Sequence, residues 1–440
     1  YSGAIHLGGA AVGNVLRVQG NFTGGGTLML NTVLGDDTSA TDKLVVEGNT
    51  SGSTAVLVNN KGGLGADTHN GIQIVQVDGA SDGNFYLGSR VVQGAYDYRL
   101  YKGSIDNPDD GDWYLRSTRN DPTPVIRPEI GAYLANRDAA QTMFRHTLHD
   151  RMGESAFSEG KVASKNAPAF WSYVEAGYGT GRAAGQIEQR RWSNKVQVGG
   201  DFYRSTEDIN NWRVGAMAGY GTLRSRSLTD GQAYRADSDL TGYNAGLYAT
   251  WFADGKAGAD GPYLDGWIQH GWFRNKVKGD ELAEQRYNSR AWSGSVEGGW
   301  TFNAWSTNDY RFYVQPQVQV IYTRYHGNDV IENNGTVIEN SHEDGISTRL
   351  GARFFGNGTG AGSRWQPYAE LNWLHNNKAS TIRIGDESFD SALPKNVAEL
   401  KAGFEVVLNK NTNAWAQVRM QKGEDNYKSV GGLAGIKVSW

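Results

Sequence analysis

Between residues 397 and 408 the side chains alternate in character. Ala398, Leu400, Ala402, Phe404, Val406 and Leu408 fall on one side of an extended chain; Glu399, Lys401, Gly403 and Glu405 fall on the other. The same period sets Tyr310, Phe312, Val314, Val318, Val320 and Tyr322 against Arg311, Gln315, Gln317 and Gln319, and Leu350, Ala352 and Phe354 against Arg349 and Arg353. A period of two is that of a β-strand. It recurs in twelve segments, at about 170–180, 190–203, 212–224, 239–253, 262–274, 289–303, 310–325, 344–356, 365–375, 396–408, 413–421 and 431–440. Most exceed the ~5–6 residues usual in soluble sheets and reach the ~9–11 of a tilted transmembrane strand. Odd-numbered gaps between them are mostly long, up to about 20 residues, and even-numbered ones stay at about 4 to 8. Such sorting is expected of an outer-membrane barrel, with short turns at one end and longer loops at the other. The polar face is charged and Gly-rich, which suits a wet lumen. It predicts Glu175, Glu297, Arg349, Arg353, Glu370, Glu399 and Lys401 as lumen-facing charges. Trp171, Trp212, Trp251, Trp272, Trp292, Trp365 and Trp373 stand near strand ends and predict girdles at the membrane interfaces. The last strand alternates to the last residue, with Ala434, Ile436, Val438 and Trp440 on one face.

Residues 1–120 carry shorter alternations: Val15–Val18, Thr27–Leu30, Leu44–Val46, Thr54–Val58, Ile72–Val77, Phe85–Leu87, Tyr96–Leu100 and Trp113–Leu115, separated by Gly, Asn, Asp and Ser clusters. A sandwich and a right-handed β-helix both fit. The short strands on a steady spacing favour the solenoid, whose rungs bury apolar side chains by stacking on one another. A solenoid needs a cap on its last rung. Tyr96, Tyr98, Trp113 and Tyr114 are the candidates.

Asp121-Pro122-Thr123-Pro124 reads as a stiff, extended linker. Pro128 and Glu129 suit a first helical turn, and Gly153 suits a stop, so a helix is expected over about 128–152. At 1.5 Å per residue it would reach roughly 37 Å. Its residues include Asn136, Arg137, Asp138, Arg145, His146, His149 and Arg151. Such a helix cannot face lipid. A barrel of twelve strands leaves about enough room for one helix of ~10–12 Å diameter, so the pore is its expected place. There Arg137, Arg145 and Arg151 would pair with the lumen carboxylates. The expected units are therefore 1–120, 121–167 and 168–440. The expected fold is all-β: a right-handed β-helix stub, one α-helix inside the pore, and a 12-stranded antiparallel transmembrane β-barrel.

Composition narrows the classes. The chain has 440 residues with 59 Gly, no Cys, 14 Trp and 22 Tyr. Absent cysteine removes disulfide frameworks, thiolate zinc sites and Cys nucleophiles. The formal charge is −4, from 43 basic and 47 acidic residues well mixed, which gives no footprint for nucleic acid. No run of ~18 apolar residues indicates a membrane helix.

These features together resemble the autotransporters of Gram-negative bacteria, type V secretion, and specifically their AIDA-type adhesin branch. Gly26-Thr27-Leu28, Gly71–Val75, Gly94–Leu100 and Asp112–Ser117 look like the pertactin-like, autochaperone end of a β-helical passenger. Pro128-Glu129 through Met152-Gly153 looks like the pore helix, and the twelve strands ending on Trp440 look like the translocator. The resemblance implies an outer-membrane protein that exports and anchors its own N-terminal passenger, a surface adhesin or other virulence factor, with residues 1–120 exposed at the cell surface. It implies barrel-assembly machinery and periplasmic chaperones as partners, and Ile436, Val438 and Trp440 as a C-terminal assembly signal. The passenger's own ligand would be a host surface of unknown identity. The secreted-protease branch cleaves at paired asparagines within the pore helix; here Asn136 stands alone before Arg137.

Other chemistry is weak. Ile105–Asp112 is shaped like an EF-hand loop, but Pro108 takes a ligand position and Ser117 stands where a bidentate Glu is needed. His146 and His149 lack a completing carboxylate for a metal. His270, His326, His342 and His375 are expected at the outer rim, where a hydrolase is conceivable, yet no Gly-x-Ser-x-Gly motif accompanies them. A diffusion pore is the other alternative. No cofactor and no catalytic residue is assigned.

Overall fold

Val15–Val18 lies parallel to Lys43–Val46, which lies parallel to Ile72–Val77. Ala4–His6, Thr27–Thr32, Ser53–Asn60 and Asn84–Leu87 stack likewise on a second face, and Phe22–Thr23 on Thr50–Ser51 on a third. Three parallel stacks make a β-helix, whose interior is filled by Leu28, Leu44, Val56, Ile74 and their neighbours. The structure, a computed structural model, describes residues 2–153, 169–207, 210–253, 261–340, 342–358 and 364–439. Turn asparagines stack in register with the rungs: Asn21 Oδ1 accepts from Asn49 N, and Asn49 Oδ1 from Ala80 N, both at 2.8 Å. The stack then changes direction. Trp113–Arg116 runs antiparallel on Ile72–Val77, and Tyr96–Lys102 antiparallel on Trp113–Arg116. This reversal closes the end of the solenoid. Trp113 meets Phe85 edge-on at 5.4 Å, and Phe85 stacks on Phe22 at 6.2 Å. Tyr98 is buried, with its hydroxyl donating to Gly35 O at 2.9 Å.

The linker is stiff, and it is also paired. Arg127 N donates to Ala95 O and Asp97 N to Val125 O. Helix α1 (Glu129–Thr142) follows directly. The single helix expected over 128–152 is in fact two, because the chain leaves the helix after Thr142 and re-enters as α2 (Leu148–Met152). Thr147 starts α2 with a capping box to Asp150. Gly153 closes it at φ 64°, a left-handed conformation suited to glycine.

Twelve antiparallel strands form a closed barrel: Ala169–Ala183, Ile187–Glu207, Asn210–Thr229, Arg235–Phe252, Gly261–Gly279, Gln285–Ser306, Tyr310–Gly327, Glu343–Gly358, Trp365–Asn376, Asn396–Asn409, Thr412–Gly423 and Lys428–Ser439. The last pairs with the first, from Ala169↔Ser439 to Thr180↔Lys428. Ile436 and Val438 point outward in this seam strand; Trp440 lies outside the described residues. The strands run longer than the sequence pattern outlined. The long first, third and fifth gaps therefore shrink to tight hairpin turns, and only 328–342 and 377–395 remain long outer loops. Each carries its own short hairpin, Val330–Ile331 with Val337–Ile338 and Thr381–Ile384 with Glu387–Asp390.

Outward positions carry two aromatic belts. On several strands the belt residues are eight apart: Phe170 and Tyr178, Trp212 and Tyr220, Tyr243 and Trp251, Trp292 and Trp300, Trp365 and Trp373. Eight residues at ~3.4 Å each and a ~45° tilt separate the belts by roughly 19 Å, close to the ~25 Å apolar band of such barrels. Trp171 does not belong to a belt. It is fully buried inside the lumen with Trp267 and Trp415. Leu400 faces outward between Leu371 and Met420, all three exposed on the barrel surface. Leu400→Lys should cost about 2–4 kcal/mol in the bilayer, whereas Ser193→Lys, beside the lumen cavity, should cost less than about 1 kcal/mol. Urea titration of the protein folded into vesicles, read by heat-modifiable gel mobility, measures both.

Candidate functional site

The site is the filled lumen and its mouth. At the mouth, Arg90 from the stub binds Asp97 through Nε and Nη2 at 2.8 and 2.7 Å. It also binds Glu129, the first residue of α1, at 2.7 Å. Arg127 binds Glu129 at 2.9 Å and reaches Glu332 of the 328–342 loop at 2.6 Å. Tyr133 of α1 donates to the same Glu332 at 2.9 Å. Two arginines and three carboxylates thus form one chain joining stub, helix and barrel, and all five side chains are at most 6% exposed. Burial works against the Arg90 charge, yet Asp97 and Glu129 outweigh it and raise the guanidinium pKa above its ordinary value. Gly279 makes room for this chain, since a Cβ there would run into the Glu129 carboxylate. Further contacts seal the rim. Tyr96 donates to Glu387 at 2.5 Å, Thr336 Oγ1 accepts from Gly94 N at 2.9 Å, and Arg90 N donates to Glu281 at 2.7 Å. Of the predicted cap residues, then, Trp113 and Tyr98 fill the solenoid, Tyr96 reaches the barrel, and Tyr114 bonds Asp110 at the stub's own turn.

Inside, α1 packs on the Ile187–Glu207 through Tyr310–Gly327 arc of the barrel wall. Asn136 Nδ2 donates to Lys276 O at 3.2 Å, and Gln189 Nε2 to Gly131 O at 2.5 Å. Arg137 pairs with Glu343 at 2.6 Å above the Tyr325 ring, Asp138 with Arg191 at 3.3 Å, and Arg151 with Asp265 at 2.6 Å. Asp150 accepts from Lys401 at 3.0 Å and from Gln417 at 2.7 Å. The break between α1 and α2 is held open by the wall. Lys195 takes the carbonyls of Met143 and Arg145, Gln269 takes Phe144 O, and Trp267 and Gln319 take His146 O. Backbone groups freed from a helix are tolerated at membrane depth where such partners re-satisfy them.

All seven predicted lumen charges point inward; six are buried and Glu175 is half-buried. Their partners differ from the expectation. Glu175 binds Lys195 and Arg419, Glu297 and Glu370 bind Arg349, Glu370 also binds Arg353, and Glu399 accepts from Asn372 and Gln421. The helix reaches this set through Lys401 on Asp150 and through Leu148 N on Glu297. The helix arginines instead find Glu343 and Asp265, while Arg145 bonds the hydroxyls of Ser347 and Thr323 beside a cavity of about 270 Å³. Most of the predicted lumen charges thus pair with one another across the wall, and the helix adds its own pairs to Lys401, Asp265 and Glu343. Around α2 and the break before it the lumen has an aromatic floor: Trp171, Tyr173, Tyr248, Trp267 and Trp415 turn inward, with Trp171 donating to Tyr248 at 3.0 Å. The rim histidines are not gathered. His270 sits outward between Trp272 and Trp292, His326 neighbours His342 at 4.4 Å, and His375 bonds Asn396. No cluster of metal-ligating side chains occurs among the described residues.

A closed twelve-stranded barrel, filled by a polar segment that continues into a β-helix, defines the class of an outer-membrane translocator barrel. The family model for the autotransporter beta-domain matches residues 170–419, and that for the autochaperone domain type 1 matches residues 7–100. The chain belongs to the autotransporter family and is an outer-membrane protein. It is 36% identical to the uncharacterized protein YdeU of Escherichia coli K12, over 98% of this chain and 99% of that one. It is 33% identical to the autotransporter adhesin AIDA-I of Escherichia coli, over 98% of this chain and 34% of AIDA-I. The uncharacterized protein YuaQ of Escherichia coli K12 is 37% identical, again over 34% of its length. The chain thus spans about a third of YuaQ and of AIDA-I. The crystal structure of the AIDA-I transport unit superposes with a TM-score of 0.64 at 27% identity, covering 71% of this chain and 99% of that one.

Breaking the mouth network should be costly. Arg127→Ala leaves Glu332 and Glu129 buried with a missing cation and should cost about 3–5 kcal/mol. Arg224→Ala, which removes an exposed pair to Asp239, should cost less than about 1 kcal/mol. The same vesicle titration compares the two.

Proposed function

We propose that this chain carries its own N-terminal passenger across the outer membrane and holds it at the cell surface, with residues 1–120 outside. The observation that supports this reading is the course of the chain from the β-helix through the mouth and along the lumen as far as Gly153, inside the barrel whose first strand begins at Ala169. The passenger, on this reading, is a continuation of the β-helix and, by likeness to AIDA-I, a surface adhesin whose ligand is a host surface. The host's barrel-assembly machinery and periplasmic chaperones would insert the barrel, reading Ile436, Val438 and Trp440. No covalent chemistry is proposed. A diffusion pore is the weaker reading, because both the helix and the aromatic floor obstruct the lumen.

Residues 1–120 would also act as the folding template. A solenoid propagates from a stable end because each rung contacts only its neighbours. The antiparallel reversal around Trp113 is the best-sealed end of the described solenoid. A tagged β-helical passenger joined ahead of residue 1 and expressed in a Gram-negative host should be exposed on intact cells and resist protease. Trp113→Ala removes a buried ring worth about 3–5 kcal/mol and should make that passenger protease-sensitive while the barrel still inserts. A tag confined to the periplasm would refute export, and a passenger still fully resistant would refute the template.

A further inference from the structure

Above the outer aromatic belt the barrel's outward face is ringed with charge. Most of its cations are answered by carboxylates on the next strand or turn: Arg224 by Asp239, Arg226 by Asp237, Lys276 and Arg286 by Glu284. One arc departs from this. On Gly261–Gly279, Trp272 is followed on the same face by Arg274; on Gln285–Ser306, Trp292 is followed toward the outside by Arg290; on Tyr310–Gly327, Tyr322 is followed by Arg324. Three adjacent strands thus repeat an aromatic ring with an arginine one outward position above it. Their registers draw the groups together. Arg290 lies opposite Trp272 on one side and His326 on the other, and Arg324 lies between Trp292 and Asp344. Arg274 and Arg290 are exposed, and among the described residues neither forms an ion pair with a carboxylate, in contrast to their neighbours Arg224, Lys276, Arg286 and Arg324. The arc's one acid, Asp344, stands 3.9 Å from Arg324. Two positions along a strand tilted ~45° raise a side chain by roughly 5 Å, which sets these guanidinium groups at headgroup depth above rings at the apolar boundary.

We propose that this arc binds the phosphates of an anionic glycolipid of the outer leaflet, with Arg274 and Arg290 as the phosphate forks and Trp272 and Trp292 packing against its acyl chains. Guanidinium groups match phosphate oxygens in bidentate geometry, and two of them on neighbouring strands suit a lipid bearing two phosphates. The flanking cations are less available because their charge is already met within the barrel.

The test uses the whole chain folded into phosphatidylcholine vesicles, in chelator so that divalent cations do not bridge. Bisphosphorylated lipid A is doped in and the midpoint of heat-modifiable mobility is read. The midpoint should rise with lipid A and not with its dephosphorylated form or with inorganic phosphate. The rise should be lost in the R274Q/R290Q double variant, reduced but still present in R274K/R290K, which keeps the charge without the fork, and fully kept in R224Q/R226Q. An equal rise in R274Q/R290Q, a rise with the dephosphorylated lipid, or no rise in the native chain would each overturn the proposal. A rise with inorganic phosphate alone would reassign the arc to free anions and overturn it as a lipid site.

Discussion

The arrangement depends on a desolvated chain of charges at the barrel mouth. Arg90 and Asp97 belong to the solenoid, Arg127 and Glu129 to the entry into the helix, and Glu332 to a barrel loop. Buried ion pairs add little net stability, because desolvating them offsets most of the attraction. What they impose is position. A shift of the helix by one turn would move Glu129 about 5 Å and strand five charges away from both partners and water. The same logic repeats inward through Arg137 with Glu343 and Arg151 with Asp265. Register is therefore fixed at several depths, from the rim to the aromatic floor.

The wall and the plug divide the work. The lumen carboxylates Glu175, Glu297 and Glu370 are neutralised by the barrel's own Arg349, Arg353, Lys195 and Arg419. Three wall charges wait on the segment instead: Asp265 pairs with Arg151, Glu343 with Arg137 and Lys401 with Asp150. At the mouth the segment's first charge, Glu129, is held by Arg90 and Arg127. On the far side the solenoid begins at once, since the linker residues pair with Tyr96–Lys102 rather than hanging free. Stub, plug and wall thus behave as one packed body.

Much of this was legible in the sequence because a strand's period is two and one face meets lipid. That parity assigns Glu175, Glu297, Glu399 and Lys401 to the inward face, where the structure has them, and the same argument marked the eight main solenoid strands. Where parity was not applied, the reading failed. Trp171 shares its face with Tyr173 and Glu175, and so belongs inside, but its place near a strand end suggested a girdle. Asp265 alternates in step with Trp267 and Gln269 and is inward for the same reason. The helix break had a local signal, Thr147 three residues before Asp150. What no local pattern carries is the contact of Tyr96 with Glu387 or of Arg127 with Glu332, which join residues hundreds of positions apart through loops whose shape the alternation does not describe.

The central claim is that the segment 129–152 occupies and closes the lumen. Single-channel conductance in planar bilayers tests it directly, by comparing the whole chain with one lacking residues 1–152. The account predicts a small conductance for the whole chain and a larger one once the segment is gone. Equal conductance from the two would place the segment outside the lumen and contradict the account.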